Sequence, residues 1–134
     1  PMRSIVGTWT LVDTEAEDVE GRPLDEPYGP KRMGTVSFSD EGWMMCVLSD
    51  GRGAKADGSG PIAYVSYCGH YTYDGETLST KVAGTSDAAR LGTDQVRGVQ
   101  FEGERMILTP PAQEIEGVVR RRTLFWERLL PPAL

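Results

Sequence analysis

The sequence predicts an all-β protein, namely an eight-stranded antiparallel up-and-down β-barrel with an internal cavity. Three turn signals, Asp40–Gly42, Asp74–Gly75 and Glu102–Glu104, each separate two runs rich in strand-forming residues, which predicts three hairpins. No helical period extends beyond two turns. Closure into a barrel is favoured because it removes exposed strand edges. The length of 134 residues predicts a single domain over residues 1–134.

Alternating and β-rich runs define the predicted strands. Each hairpin joins two such runs, and one further strand lies near each end of the chain. The segment Asp87–Leu91 predicts one short helical turn. In chain order, the predicted strands are Gly7–Glu15, Gly34–Phe38, Trp43–Leu48, Ala63–Tyr73, Thr77–Ala83, Gln95–Phe101, Arg105–Thr109 and Val118–Leu129.

Two longer segments between the strands lack an alternating pattern. Arg22–Met33 carries three prolines and Tyr28, and Ser49–Pro61 is rich in glycine, serine and aspartate. Loops of this length often form a lid or rim beside a binding site. A plain surface loop is an equally good interpretation of Ser49–Pro61.

The charge and hydropathy patterns argue against several classes of function. The net charge is −6, whereas a nucleic-acid-binding surface is basic. The basic run Arg120–Arg122 lies in a strand-like pattern, so its side chains divide between two faces. No apolar run approaches the ~20 residues that span a bilayer, and no signal-peptide core is present, so we expect a cytoplasmic location without a membrane partner. Pro1 before Met2 indicates a remnant of protease cleavage, with Met2 as the native start.

The two cysteines, Cys46 and Cys68, form neither a disulfide framework nor a metal-binding motif. A metal site is not predicted, since Cys-x-x-Cys spacing and histidine clusters are lacking. In a reducing compartment both thiols stay free. Nucleotide and phosphate-binding fingerprints are also lacking, so no cofactor is predicted.

Five segments of the chain, taken in their order and spacing, resemble the bacterial and fungal lipocalin-like domain family of the calycin superfamily. The resemblance implies an eight-stranded barrel with an internal cavity, but it does not fix an activity. It also implies that Arg128 packs across Trp9 at the closed end, and it places Thr80 where the family often has histidine. The segments are GTWTLVDTEAED, YGPKRMGTVSFSDEGWMM, YCGHYTYDGETL, GTDQVRGVQFEGERMILT and LFWERL.

Strand periodicity predicts which side chains face the cavity, because successive residues alternate between faces. The last strand places Leu124, Trp126 and Arg122 on the same face as Arg128. The third strand has two apolar faces, so the sequence leaves open which one lines the cavity. One face of the fourth strand is more apolar than the other and is predicted to point inward, which places His70 on the outer face. That inner face consists of Val65, Tyr67, Gly69, Tyr71 and Tyr73.

An inward arginine is the main chemical signal in the sequence. Arg97 shares its strand face with Val99 and Phe101, and an arginine inside a barrel needs a partner. The partner would be an acidic side chain such as Glu127 or Asp94, a group of tyrosine hydroxyls, or an anionic or carbonyl-bearing ligand. We predict that Gly69 relieves crowding or bends its strand at a tight position in the barrel. We also predict that the gap at Gly69 leaves room for that ligand beside the rings of Tyr67 and Tyr71.

The predicted site combines these polar groups with an apolar wall, as in most small-molecule pockets. The predicted catalytic residues are Arg97, Tyr67 and Tyr71. The predicted substrate-binding residues are Gln95, Met44, Val99, Arg122, Leu124, Trp126 and Tyr28.

Three functions fit such a barrel. The first is a cofactor-independent cyclase or isomerase that folds a hydrophobic polyketide-like molecule inside the cavity; cyclisation by related barrels in natural-product biosynthesis supports it by fold-level analogy. The second is a non-catalytic carrier of a hydrophobic small molecule. The third is a structural or protein-interaction barrel filled by its own side chains. The sequence leaves open whether the chain forms a homodimer.

Overall fold

Nine strands and one short 3₁₀ turn form the regular structure of the described residues, which are 2–26, 28–60 and 62–129 of the computed structural model. Pro1, the predicted cleavage remnant, lies outside these residues. The turn spans Ala88–Arg90, where a short turn was predicted. The strands are β1 Gly7–Glu17, β2 Arg32–Phe38, β3 Trp43–Asp50, β4 Tyr64–Tyr73, β5 Thr77–Thr85, β6 Asp94–Glu102, β7 Arg105–Thr109, β8 Gln113–Ile115 and β9 Val118–Arg128.

The strands close into the predicted barrel. From β1 to β7 each strand pairs antiparallel with the next, and β9 pairs with both β7 and β1. These eight strands form a closed antiparallel barrel, which confirms the predicted fold class. The additional strand β8 forms a hairpin with the first part of β9 outside the barrel. Because all residues of β8 are exposed, it has no apolar alternation by which the sequence could have indicated it.

Burial resolves the ambiguity of the third strand. Met44, Cys46 and Leu48 are buried on the inner face of β3, whereas Met45 and Val47 are exposed on the outer face. His70 is exposed, as predicted. Among the described residues, no helix is long and apolar enough to cross a membrane.

Two irregularities change which side chains face the interior. The register of β1 against β9 shifts between Leu11 and Asp13, so that Thr14 and Ala16 become the buried positions beyond the shift. The pairing of β4 with β5 shifts between Cys68 and Gly69. Such bulges insert one residue into a strand and reverse the phase of its inner face.

The space beside Gly69 is filled by backbone. A Cβ atom at Gly69 would overlap the carbonyl oxygen of Lys81 on the neighbouring strand β5. The prediction that Gly69 leaves a gap for a ligand is therefore wrong. The glycine allows two strands to approach closely at the bulge.

The closed end of the barrel is built around Trp9, as predicted. The guanidinium carbon of Arg128 lies 4.2 Å from the centre of the Trp9 ring. The same guanidinium donates hydrogen bonds to the backbone oxygens of Val6 at 2.6 Å and Ser4 at 3.0 Å. The indole N–H of Trp9 donates to the backbone oxygen of Ile5 at 2.9 Å. This end is therefore sealed by the N-terminal segment that precedes β1.

Candidate ligand-binding site

A cavity of about 40 Å³ lies inside the barrel, away from the Trp9 end. The inner face of β9 shows how the cavity is oriented along the barrel. Its residues Arg122, Leu124 and Trp126 line the cavity, whereas Arg128 lies at the closed end. A strand rises ~3.3 Å per residue, so the Cα atoms of Arg122 and Trp126 are roughly 13 Å apart. Arg122 also lines a surface cleft of about 550 Å³. The cavity therefore opens to the surface beside Arg122 and ends near Trp126.

Three arginines line the cavity at its open end. Arg90 comes from the 3₁₀ turn, Arg97 from β6 and Arg122 from β9. The side-chain oxygen of Gln95 accepts hydrogen bonds from Arg90 at 3.0 Å and from Arg97 at 3.2 Å, which holds these two guanidinium groups together. No aspartate or glutamate is among the described residues that line the cavity.

The arginine cluster is only partly neutralised by the protein. Arg90 contacts Asp87 at 3.4 Å, but Arg97 and Arg122 form no ion pair with any described residue. Glu127, one predicted partner of Arg97, instead accepts a hydrogen bond from Arg105 at 3.0 Å. Burial lowers the pKa of Arg122, and the positive charges of Arg97 and Arg90 act in the same direction. The cluster is thus a region of positive charge in a protein whose net charge is −6.

Two tyrosines face the same space. Tyr67 is buried on β4, and the guanidinium carbon of Arg90 lies 5.5 Å from the centre of its ring. Burial raises the pKa of Tyr67 to about 12 and also raises the pKa of Tyr28. Both hydroxyls are therefore protonated at neutral pH and can donate as well as accept hydrogen bonds.

Tyr28 is placed over the cavity by the loop between β1 and β2. The next residue, Gly29, adopts a φ of 67° and packs directly against the guanidinium of Arg52. Asp50 in turn binds Arg52 at 2.7 Å. The long loop thus contributes to the rim of the site through Tyr28. Two residues of the predicted loops, Pro27 in Arg22–Met33 and Pro61 at the end of Ser49–Pro61, lie outside the described residues.

The structure brings together most of the predicted site residues. Arg97 and Tyr67 lie at the cavity with several of the predicted substrate contacts, while Gln95 holds two of the arginines at the mouth. The wall between the mouth and the inner end is mostly apolar. The predicted substrate contacts that line the cavity are Met44, Arg122, Leu124, Trp126 and Tyr28.

Two predicted residues lie elsewhere. Tyr71 is four positions beyond Tyr67 on β4, which places it near the closed end. Its hydroxyl donates to the backbone oxygen of Ser39 at 2.7 Å, and its ring packs edge-on against Phe38. Val99 is buried in the core but does not line the cavity.

Several lining residues were missed by the sequence analysis. Arg90 lies in the predicted short turn, but the sequence did not indicate where that side chain would point. Cys46 was not assigned because β3 has two apolar faces and the sequence does not show which of them lines the cavity. Thr80 and Leu78 are buried on the inner face of β5 and also line the cavity.

The two thiols should differ sharply in reactivity. Cys46 and Cys68 lie on adjacent strands but on opposite faces, and both are free. Burial raises the pKa of Cys46 to about 12, so at pH 8 it is almost entirely the unreactive thiol. With a thiol reagent such as dithionitrobenzoate, we expect one fast-reacting group, Cys68, and a second only after unfolding. Two equally fast groups, or a mass showing a disulfide, would contradict this.

Comparison with known proteins agrees with this architecture. A model of the lipocalin-like domain matches residues 6–61 and 54–129, which together include every barrel strand. The search of curated proteins gave no match. Because the family model covers most of the sequence, the chain belongs to the lipocalin-like domain family.

Proposed function

We propose that this protein binds a small molecule with an apolar body and an anionic or oxygen-rich head, and that Arg90, Arg97 and Arg122 hold the head. A lipocalin-like barrel in itself suggests small-molecule binding. The observation that carries the finer proposal is the lining of the open end, where three guanidinium groups meet without a lining carboxylate. Partly buried positive charges are costly without a partner, and a ligand anion would supply one.

The polar and apolar parts of the lining favour one orientation of the ligand. Its head would lie at the mouth between the arginines, within reach of the Tyr28 and Tyr67 hydroxyls. Its body would enter the barrel along Met44 and Leu124 towards Trp126. Removal of that apolar surface from water supplies most of the affinity.

The cavity volume favours binding over the folding of a long chain. The enclosed space, about 40 Å³, is narrow, so it favours a slender body over a bulky or folded one. A slender apolar body fits between Arg122 and Trp126, and a bulkier part of the ligand would extend from the mouth into the adjoining surface clefts of about 550 and 380 Å³. The predicted cyclase would have to enclose a complete polyketide-like chain, which needs a wider interior.

An isomerase or cyclase of a small carbonyl compound is the second candidate, and Tyr67 is the observation that favours it. Its hydroxyl stays protonated beside the arginine cluster. A substrate carbonyl placed between Arg97 and Tyr67 would be polarised by two hydrogen-bond donors, which would stabilise negative charge on its oxygen in a transition state. Turnover of a bound carbonyl compound, measured against simple binding, separates this candidate from a carrier.

Matched ligands and variants test the proposed binding. Wild-type protein should bind octanoate more tightly than the neutral octanamide, measured by calorimetry. In Arg97→Met and Arg122→Met, octanoate affinity should fall about tenfold or more, because charge-assisted hydrogen bonds are lost. Octanamide affinity should change little, and the free energy of unfolding should stay within about 1 kcal/mol, since no described carboxylate loses its partner.

Arg105→Met is the matched control. It removes the same charge, but Arg105 pairs with Glu127 and does not line the cavity. Octanoate affinity should be unchanged in this variant. Equal loss of affinity in all three variants would indicate a general effect of net charge. A stability loss of ~3–5 kcal/mol in Arg97→Met would instead indicate a structural ion pair. Either result would contradict the proposed head-group site.

A further inference from the structure

We propose that the ligand carries a second oxygen, at the end that enters the barrel, and that this oxygen accepts a hydrogen bond from the indole N–H of Trp126. The inference deepens the proposed function and rests on it. Trp126 is 1% exposed and lines the inner part of the cavity. Its Nε1 atom is buried and has no hydrogen-bond partner among the described residues.

The other buried tryptophan shows that the unpaired N–H of Trp126 is not a general feature of this barrel. Trp9 is equally buried, at 1% exposed, and its indole N–H donates to Ile5 at 2.9 Å. Buried polar groups in proteins are nearly always paired, since an unpaired donor loses its hydrogen bond to water without replacement. Trp126 differs from Trp9 in lining the cavity, where a ligand could supply the missing acceptor.

A second unpaired polar atom lies in the same part of the barrel. Thr14 is 1% exposed, and its hydroxyl oxygen is buried without a hydrogen-bond partner among the described residues. In the register of β1 with β9, Leu11 pairs with Trp126 and Thr14 pairs with Leu124. The bulge between Leu11 and Asp13 places this hydroxyl on the inner face. The unpaired Thr14 hydroxyl thus lies level with Leu124, nearer the mouth than Trp126 and outside the cavity lining, so Trp126 is the unpaired donor that a ligand in the cavity can reach.

The spacing along β9 sets the distance between the two ends of the ligand. Arg122 lies at the mouth and Trp126 at the inner end, with Leu124 between them. Their Cα atoms are separated by roughly 13 Å of strand. A ligand that meets both sites is a carboxylate with a short apolar middle and a hydroxyl or carbonyl oxygen at its far end.

Pairs of carboxylates that differ only at the far end test this inference by calorimetry. The pairs are butanoate, hexanoate, octanoate and decanoate, each with its ω-hydroxy counterpart. At the length that matches the cavity, wild-type protein should bind the ω-hydroxy acid about five- to tenfold more tightly than the plain acid, because one buried hydrogen bond is gained. Trp126→Phe should remove that preference, so that the plain and ω-hydroxy acids of the matching length bind this variant with affinities within about twofold of each other, because neither then gains the indole hydrogen bond.

The indole N–H signals in the proton NMR spectrum of the wild-type protein give a second measurement, which does not depend on a variant that folds. The chain has three tryptophans, and the indole N–H signal of Trp126 should move downfield with the ω-hydroxy acid but not with the plain acid. The Trp9 signal serves as an internal control, since its N–H is already bonded to Ile5. An unmoved Trp126 signal in the bound state would overturn the inference.

The outcomes separate this inference from the proposed function. Plain acids that bind through Arg97, with no ω-hydroxy preference at any length, would overturn the inference alone. A preference that survives in folded Trp126→Phe would also overturn it. If none of the acids binds, or if Arg97→Met weakens none of them, the proposed head-group site fails and the inference fails with it.

Discussion

Gly69→Ala is expected to destabilise the barrel by about 3 kcal/mol or more, or to prevent folding altogether. The added Cβ would overlap the carbonyl oxygen of Lys81, and it would also crowd the backbone nitrogen of Ala83 at 3.2 Å. Both contacts are with backbone of β5, which cannot move aside as a flexible side chain can. Relief would require β4 and β5 to separate at the bulge, at the cost of hydrogen bonds between them.

Urea unfolding of Gly69→Ala and of the matched control Gly98→Ala measures this effect. Gly98 lies in β6, and the atom nearest to its added Cβ would be the backbone oxygen of Thr109 at 3.8 Å, an ordinary contact. The control should therefore keep its stability within about 1 kcal/mol. If the two variants have the same unfolding midpoint, the close approach of β4 and β5 at Gly69 does not make the added Cβ atom destabilising, and the prediction is wrong.

The barrel could be predicted because its signals are local and repeated. Turn residues such as Asp74–Gly75 mark the hairpins, and alternating burial within strands such as β4 is visible in single segments. Up-and-down topology follows largely from these hairpins, since from β1 to β7 each strand pairs with its neighbour in sequence. The packing of Arg128 on Trp9 was available only through the family resemblance, because nothing local connects residues so distant in the chain.

The inner surface was harder to predict, since bulges and side-chain direction do not appear in a periodic pattern. The bulge in β1 moves Thr14 and Ala16 to the interior. The two apolar faces of β3 could be distinguished only by closure of the barrel. Arg90 reaches the cavity from a short turn, whose side-chain directions the sequence did not indicate. The site therefore gained a third arginine that the sequence did not assign.

The closed end of the barrel contributes to stability and the open end is the proposed ligand site, so substitutions at the two ends should affect different properties. At the closed end, Arg128 crosses Trp9 and binds the N-terminal segment. At the open end, Arg90, Arg97 and Arg122 are the groups proposed to bind the head of the ligand. Roughly 13 Å of strand separates Trp126 from Arg122, and Arg128 lies beyond Trp126. A change at Arg128 should therefore alter stability without altering ligand affinity.

Arg128→Ala is expected to lower the free energy of unfolding by about 1–3 kcal/mol, because it removes a cation–π contact and two charge-assisted hydrogen bonds at a partly exposed site. For a domain of this size, the melting temperature should fall by roughly 3–12 °C. Arg121→Ala removes the same charge from an exposed position on the same strand and should shift stability by no more than about 0.5 kcal/mol. Octanoate affinity should equal that of the wild type in both variants.

An unchanged melting temperature in Arg128→Ala would show that the N-terminal segment is held without this arginine. A parallel loss of octanoate affinity would show that the closed end and the mouth are coupled.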